Sequence, residues 1–214
     1  MDIENIDALI VVDMQNDFCE GGALAVTNAG SIIPRVNALI EAFHRNGKHI
    51  IATQDFHPAN HRSFASMNEG VSVGDVFTLG GLPQVAWPDH CVQGTAGAEF
   101  HPDIQSDLFE HIIRKGCDVD IDSYSAFFDN ARIHDTGLNQ LLQDLNVRSV
   151  ALCGLATDYC VLMSALDAAD AGYRTIVVAD ATAPVSLHPT DYQRSLDEMR
   201  ENGCVVTTLN ALMR

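Results

Sequence analysis

Ala8-Leu9-Ile10-Val11-Val12 is a run of five apolar residues, closed by Asp13. A strand with one wet face alternates apolar and polar residues. A strand apolar at every position is covered on both faces, as inner strands of parallel sheets are. Similar short runs recur at 49–53, 111–114, 150–153, 175–179 and 204–207. Helical patterns lie between them. One covers about 31–46, with Pro34 in its first turn and Gly47 as its stop. Others cover about 136–146, 158–171 (closed by Gly172) and 190–202 (opened by Thr190, closed by Gly203). This alternation predicts an α/β fold: a three-layer, doubly wound, parallel sheet of about six strands with helices on both faces. With no internal repeat, low-complexity segment or linker, the 214 residues are expected to form a single domain over 1–214.

Composition narrows the function classes. Twenty-nine acidic residues against 12 basic give a formal net charge of −17. Such a field repels nucleic acid and anionic lipid, so neither is an expected partner. No apolar run approaches the ~20 residues of a membrane span. The start, Met1-Asp2-Ile3-Glu4-Asn5, lacks the basic residues of a signal peptide. Six cysteines are scattered without a C-x-x-C pair, which suits reduced thiols and a cytoplasmic location. Nothing in the sequence chooses between monomer and homo-oligomer.

One interval breaks the rhythm. Residues 55–102 show little periodicity and carry six glycines and four prolines. Irregular stretches this long inside a compact domain are usually functional. Ligands of open parallel sheets bind at the carboxyl ends of the strands, where Asp13, Asp55, Lys115 and Asp180 are expected. Cys160 falls in the first turn of the helix after the fourth strand. A helix N-terminus and a nearby ammonium, Lys115, both favour a thiolate, and Asp13 is placed to carry its proton. Charged residues at strand ends also serve merely to solvate a sheet edge; the convergence of these three is what raises a nucleophilic site. Asp55-Phe56-His57 puts two metal-ligand types at i and i+2, on one side of an extended chain. His90 arrives from the far end of the irregular interval. Two imidazoles and a carboxylate with open positions suit Zn, Fe(II) or Mn. His61 reads as a loop residue bonded to backbone.

Six motifs occur together in order: Asp13-Met14-Gln15-Asn16-Asp17-Phe18, Asp55-Phe56-His57-Pro58, Trp87-Pro88-Asp89-His90-Cys91, Arg114-Lys115-Gly116, Asp122-Ser123-Tyr124-Ser125-Ala126-Phe127 and Gly154-Leu155-Ala156-Thr157-Asp158-Tyr159-Cys160. Together they resemble the nicotinamidase/pyrazinamidase family of isochorismatase-like cysteine hydrolases. The resemblance implies hydrolysis of nicotinamide to nicotinate and ammonia through a cysteine thioester, cleavage of pyrazinamide, and a place in NAD salvage. It implies Asp13, Lys115 and Cys160 as the catalytic triad. It implies Asp55, His57 and His90 as ligands of one divalent metal, zinc first, with iron or manganese as alternatives. It further implies a cis peptide between Leu155 and Ala156 that aims the N–H groups of Ala156 and Cys160 at an oxyanion. Phe18, Trp87 and Tyr124 match positions that sandwich the substrate ring. Phe56 and Tyr159 depart from the commoner family residues, and Ser63 falls near a place where some members have a fourth ligand.

Three rivals are weaker. A metal-free cysteine hydrolase of the same fold would not need Asp55, His57 and His90. A non-heme iron oxygenase with these ligands would usually sit on a β-barrel. A nucleotide-binding module would carry G-x-G-x-x-G after the first strand, where Asp13-Met14-Gln15-Asn16 stands.

Overall fold

A computed structural model describes residues 3–213. The strands are β1 (Ala8–Val12), β2 (His49–Asp55), β3 (Val76–Leu79), β4 (Leu82–Val85), β5 (His111–Lys115), β6 (Ser149–Leu155), β7 (Arg174–Ala183) and β8 (Val205–Thr207). The α-helices are α1 (Ala29–Arg45), α2 (Leu138–Asp144), α3 (Leu162–Asp170), α4 (Asp191–Glu201) and α5 (Leu209–Leu212). Six strands form one sheet in the order β5-β2-β1-β6-β7-β8. Every pairing in it is parallel.

β1 lies at the centre and is buried at all five positions. Its alternation splits the core in two. Leu9 and Val11 join α1 residues such as Val36, Leu39 and Phe43 on one face. Ala8, Ile10 and Val12 join Leu142 of α2, Ala165 of α3 and Met199 of α4 on the other. The expected layers are therefore present. The chain moves outward from β1 through β2 to β5, then returns to β6 on the other flank of β1. This reversal between β1 and β6 makes the switch-point crevice, where ligands of open α/β sheets bind.

Three details differ from the sequence reading. α1 starts at Ala29, so Pro34 lies past its first turn. Glu20 caps that earlier start by accepting from the Gly30 N–H. The irregular interval holds a hairpin, β3–β4, turned by Gly80 and Gly81 at φ 59° and 86°; paired positive φ is what a two-residue hairpin turn requires. Asp180 lies inside β7, where it accepts from Leu209 N–H instead of facing the crevice. Among the described residues, no helix is long and apolar enough to cross a membrane.

Candidate active site

The ends of β1, β2 and β5 bring three charged side chains together, and all three are buried. Asp13 follows β1 in the left-handed region, φ 47°. Thr53 of β2 holds it: the Thr53 hydroxyl accepts from Asp13 N–H at 3.1 Å and donates to Asp13 Oδ1 at 2.6 Å. Thr53 and Asp55 share one face of β2 by simple alternation. That pattern was the available signal for Thr53, which sequence reasoning missed. Asp55 is fixed in turn by Gln15, whose amide accepts from Asp55 N–H and donates to Asp55 C=O.

Lys115 ends β5 with its ammonium fully enclosed. Nζ donates to Asp55 Oδ1 at 2.7 Å, Ser123 C=O at 3.0 Å and Cys160 Sγ at 3.4 Å. It also lies 2.9 Å from Asp13 Oδ2. That last approach is an ion pair without hydrogen-bond alignment, and Oδ2 has no hydrogen-bond partner. The Asp13 and Asp55 carboxylates and the Cys160 sulfur lie within 4.8 Å of one another, with this ammonium among them.

Cys160 sits in a π-helical turn, Thr157–Val161, that leads into α3. The fold adds to the helix start and Lys115 influences on Cys160 that the sequence does not show. Burial pushes the Cys160 thiol well up; Lys115 pulls it down, but Asp13 and Asp55 push it up again. One ammonium already faces two carboxylates, so little of its field is left for the sulfur. Burial likewise raises the Asp13 carboxyl, Lys115 opposes, and Asp55 adds to the rise. A carboxyl lifted from its ordinary range beside the Cys160 thiol is suited to passing one proton back and forth. Asp55 goes the other way: burial raises it, but Lys115 and His57 bring it well below the ordinary range.

The donor atoms of Asp55, His57 and His90 also lie within 4.8 Å of one another. Both imidazoles are oriented by backbone: His57 Nδ1 donates to Gly116 C=O and His90 Nδ1 donates to Pro88 C=O, each at 2.8 Å. That leaves each Nε2 turned toward Asp55 Oδ2, at 3.4 Å and 3.8 Å, and in the neutral imidazole its lone pair is free for a cation. His57 Nε2 is buried and has no hydrogen-bond partner. Two oriented imidazole lone pairs and a carboxylate, one of the nitrogens orphaned, fit a divalent cation. His57 also groups with His61 and Asp122. His61, however, is bound to the Ser63 hydroxyl at 2.7 Å and lies 3.4 Å from Ile121 C=O, and Ser63 is buried in that pairing.

Cys160, Asp55 and His90 open into one pocket, and Asp13, Lys115 and His57 are not part of its lining. It is lined by Phe18, Leu24, Asp55, Trp87, His90, Asp122, Tyr124, Ala156, Tyr159, Cys160 and Val185. Phe18, Trp87 and Tyr124, the three aromatic residues singled out from the sequence, are all in its wall. Leu24 and Val185 were missed, because each comes from a loop with no local signature; Asp122 stands in one of the quoted motifs but was given no role. The Leu155–Ala156 peptide is cis. Tyr159 packs edge-on to Trp87 and Tyr124, with ring centroids 5.0 and 5.3 Å apart. Phe56 is absent from the lining; Arg114 covers its ring at 4.2 Å. Of the two departures, only Tyr159 touches the pocket. A roomier groove lined by Cys117, Asp118, His134 and Asp135 includes Lys115 but none of Cys160, Asp55, His57 or His90, whereas the smaller pocket holds Cys160, Asp55 and His90.

The isochorismatase domain model matches residues 7–211. The chain belongs to the isochorismatase family. Within this family it is 45% identical over 202 residues to the nicotinamidase of Escherichia coli (strain K12), covering 94% of each chain. The structure superposes on the nicotinamidase/pyrazinamidase of Acinetobacter baumanii with a TM-score of 0.91 at 40% identity, covering 96% of this chain and 97% of that one. The pyrazinamidase of Pyrococcus horikoshii, solved in complex with zinc, matches with a TM-score of 0.77 at 40% identity, covering 94% and 98%. This isochorismatase-family chain therefore shares fold and length with amidases of pyridine and pyrazine carboxamides.

Proposed function

We propose that the chain hydrolyses nicotinamide to nicotinate and ammonia, with Cys160 as nucleophile, and that it also deamidates pyrazinamide. One observation carries the reading: Cys160 and the donors of Asp55 and His90 face a single pocket walled by Phe18, Trp87 and Tyr124. A flat aromatic amide fits such walls, and its reactive carbon can meet the sulfur while its ring stays between side chains.

Cys160 Sγ attacks the carboxamide carbon as its proton passes to Asp13. Negative charge develops on the amide oxygen, where the N–H groups of Ala156 and Cys160 stabilise it. Collapse breaks the carbon–nitrogen bond, and Asp13 returns the proton to the leaving ammonia. The nicotinoyl thioester remains. Asp13 then takes a proton from water, whose oxygen attacks the thioester carbonyl, and nicotinate leaves as Cys160 regains its proton. Lys115 stays charged throughout, since Asp13 and Asp55 hold its pKa well above the ordinary lysine value against burial. It offsets the charge of Asp13 and of the departing sulfur. Asp55, His57 and His90 would hold one divalent cation, with zinc the first choice by donor type and iron or manganese the alternatives. When bound, this cation supplies a Lewis-acidic partner for the lone pair of the ring nitrogen. The product is the acid form in which the pyridine ring enters NAD salvage.

The test is ammonia release from nicotinamide by zinc-loaded protein, with Cys160→Ala as the control. Turnover by the wild type and none by the variant is expected. Equal rates in the two would overturn the reading.

A further inference from the structure

The β3–β4 hairpin is mostly exposed, with Val76 at its base 69% exposed. Gln84 is the one buried residue of its two strands. A polar side chain that turns inward from an exposed hairpin needs partners there, and it has three. Nε2 lies 2.9 Å from Val85 C=O, from Asp122 Oδ2 and from Tyr124 Oη. A carbonyl and a carboxylate can only accept, so the amide nitrogen must be the end that faces them, and its two hydrogens are shared among the three acceptors, one bond being bifurcated. Tyr124 Oη receives a second bond, from Trp87 Nε1 at 3.2 Å. Backbone bonds with Ser63 and Ala65 hold the Trp87 main chain. Its indole N–H has Tyr124 Oη as its one hydrogen-bond partner among the described residues. Tyr124, Trp87 and Asp122 all line the pocket; Gln84 does not.

We propose that Gln84 is a positioning residue: from the hairpin it holds Tyr124, and through Tyr124 the indole of Trp87, in the plane that grips the substrate ring. The inference rests on the reading of this pocket as the nicotinamide site. Gln84 touches neither the sulfur nor the proton carrier, so its loss acts on binding more than on chemistry. Removing the amide leaves the Asp122 carboxylate one donor short and frees the Tyr124 ring, and both changes loosen the same wall.

Trp87 is the single tryptophan of the chain, so its emission reports on this wall alone. In zinc-loaded Gln84→Leu, acrylamide quenching of that emission should rise about twofold, since a locked and buried indole becomes reachable. KM for nicotinamide should rise about tenfold with kcat within about threefold, the pattern of lost uniform binding. In a Tyr124→Phe background the Gln84→Leu substitution should add less than about half its single effect on KM, because the two act as one unit. Gln84→Asn, which keeps the amide but shortens its reach, should move in the same direction and replaces Gln84→Leu if that variant does not fold. Unchanged quenching and KM, or full additivity with Tyr124→Phe, would overturn the proposal. A wild-type protein that releases no ammonia from nicotinamide would instead overturn the functional reading, and the quenching comparison would still decide the coupling between Gln84 and Trp87.

Discussion

Gly116 stands against the ring of His57: its carbonyl accepts from Nδ1 at 2.8 Å, and a Cβ on it would lie 2.4 Å from the His57 Cε1 and 2.6 Å from Nδ1. Its φ of +64° is unfavourable for any side chain. The residue after Lys115, the proposed catalytic lysine, thus also sets one of the imidazoles proposed to hold the metal. Gly116→Ala should displace His57, lower bound metal by about tenfold or more at equal exposure to zinc, and cost about 1–3 kcal/mol of stability by overpacking. Metal analysis of the purified protein together with urea unfolding checks both. Full metal occupancy in this variant would mean that the Gly116 bond does not orient the ligand.

The proposed proton carrier, Asp13, can be isolated by one atom. Asp13→Asn keeps the shape and can still accept from Thr53, but cannot take the thiol proton. Its kcat for nicotinamide should fall by roughly 10²–10⁴, the range of general acid–base catalysis, while binding of nicotinate, followed by Trp87 emission, changes little. A variant that turns over near the wild-type rate would show that another group moves the proton.

The metal's part in recognition is separable from bond breaking. Benzamide has the ring and the carboxamide of nicotinamide but no ring nitrogen. It should be disfavoured by about 10² or more in kcat/KM, because a buried polar partner is left without its mate. Chelation, or His57→Ala, should depress nicotinamide hydrolysis strongly and benzamide hydrolysis much less. If metal-free protein kept the full preference, the metal would be structural and ring selection would come from elsewhere.

A fourth expectation concerns acid stability, at the far end of the sheet. Asp7 Oδ2 accepts from the N–H groups of Arg148 and Ser149 at 2.9 and 3.0 Å and from the Ser149 hydroxyl at 2.8 Å, joining the start of β1 to β6. Burial raises its pKa, but these bonds outweigh it and bring the carboxyl below its ordinary value of 3.8. A depressed carboxylate contributes stability that is fully present above the unfolded-state pKa and is lost as pH falls through the folded one. Asp7→Asn should therefore lower stability by about 1 kcal/mol at neutral pH, given the partial exposure. Its deficit against the wild type should shrink once pH drops below the ordinary carboxylate value. Urea midpoints between neutrality and acid follow this; a deficit constant with pH would show that the charge contributes nothing.

Much of the scaffold was legible in the chain because its causes are local. A β-branched run such as 8–12 is a strand buried on both faces wherever it occurs, and glycines at 47, 172 and 203 stop helices by their own backbone freedom. Asp13, Asp55, Lys115 and Cys160 could be placed at one sheet edge because strand ends are local features and parallel strands share a direction. The hairpin was missed although Gly80-Gly81 announced its turn, since β3 and β4 are short and mostly exposed and have no apolar alternation to show.

Tertiary structure alone decided what depends on sums over distant segments. Sequence proximity to a helix start argued for a Cys160 thiolate; the fold adds burial and two carboxylates, Asp13 and Asp55, which push the thiol up against the pull of Lys115. The same holds for Thr53 on Asp13, Gly116 under His57 and Gln84 behind Tyr124. Propensity and capping are properties of neighbours along the chain, whereas charge balance and hydrogen-bond partnership are fixed by packing, which joins residues that no local pattern connects.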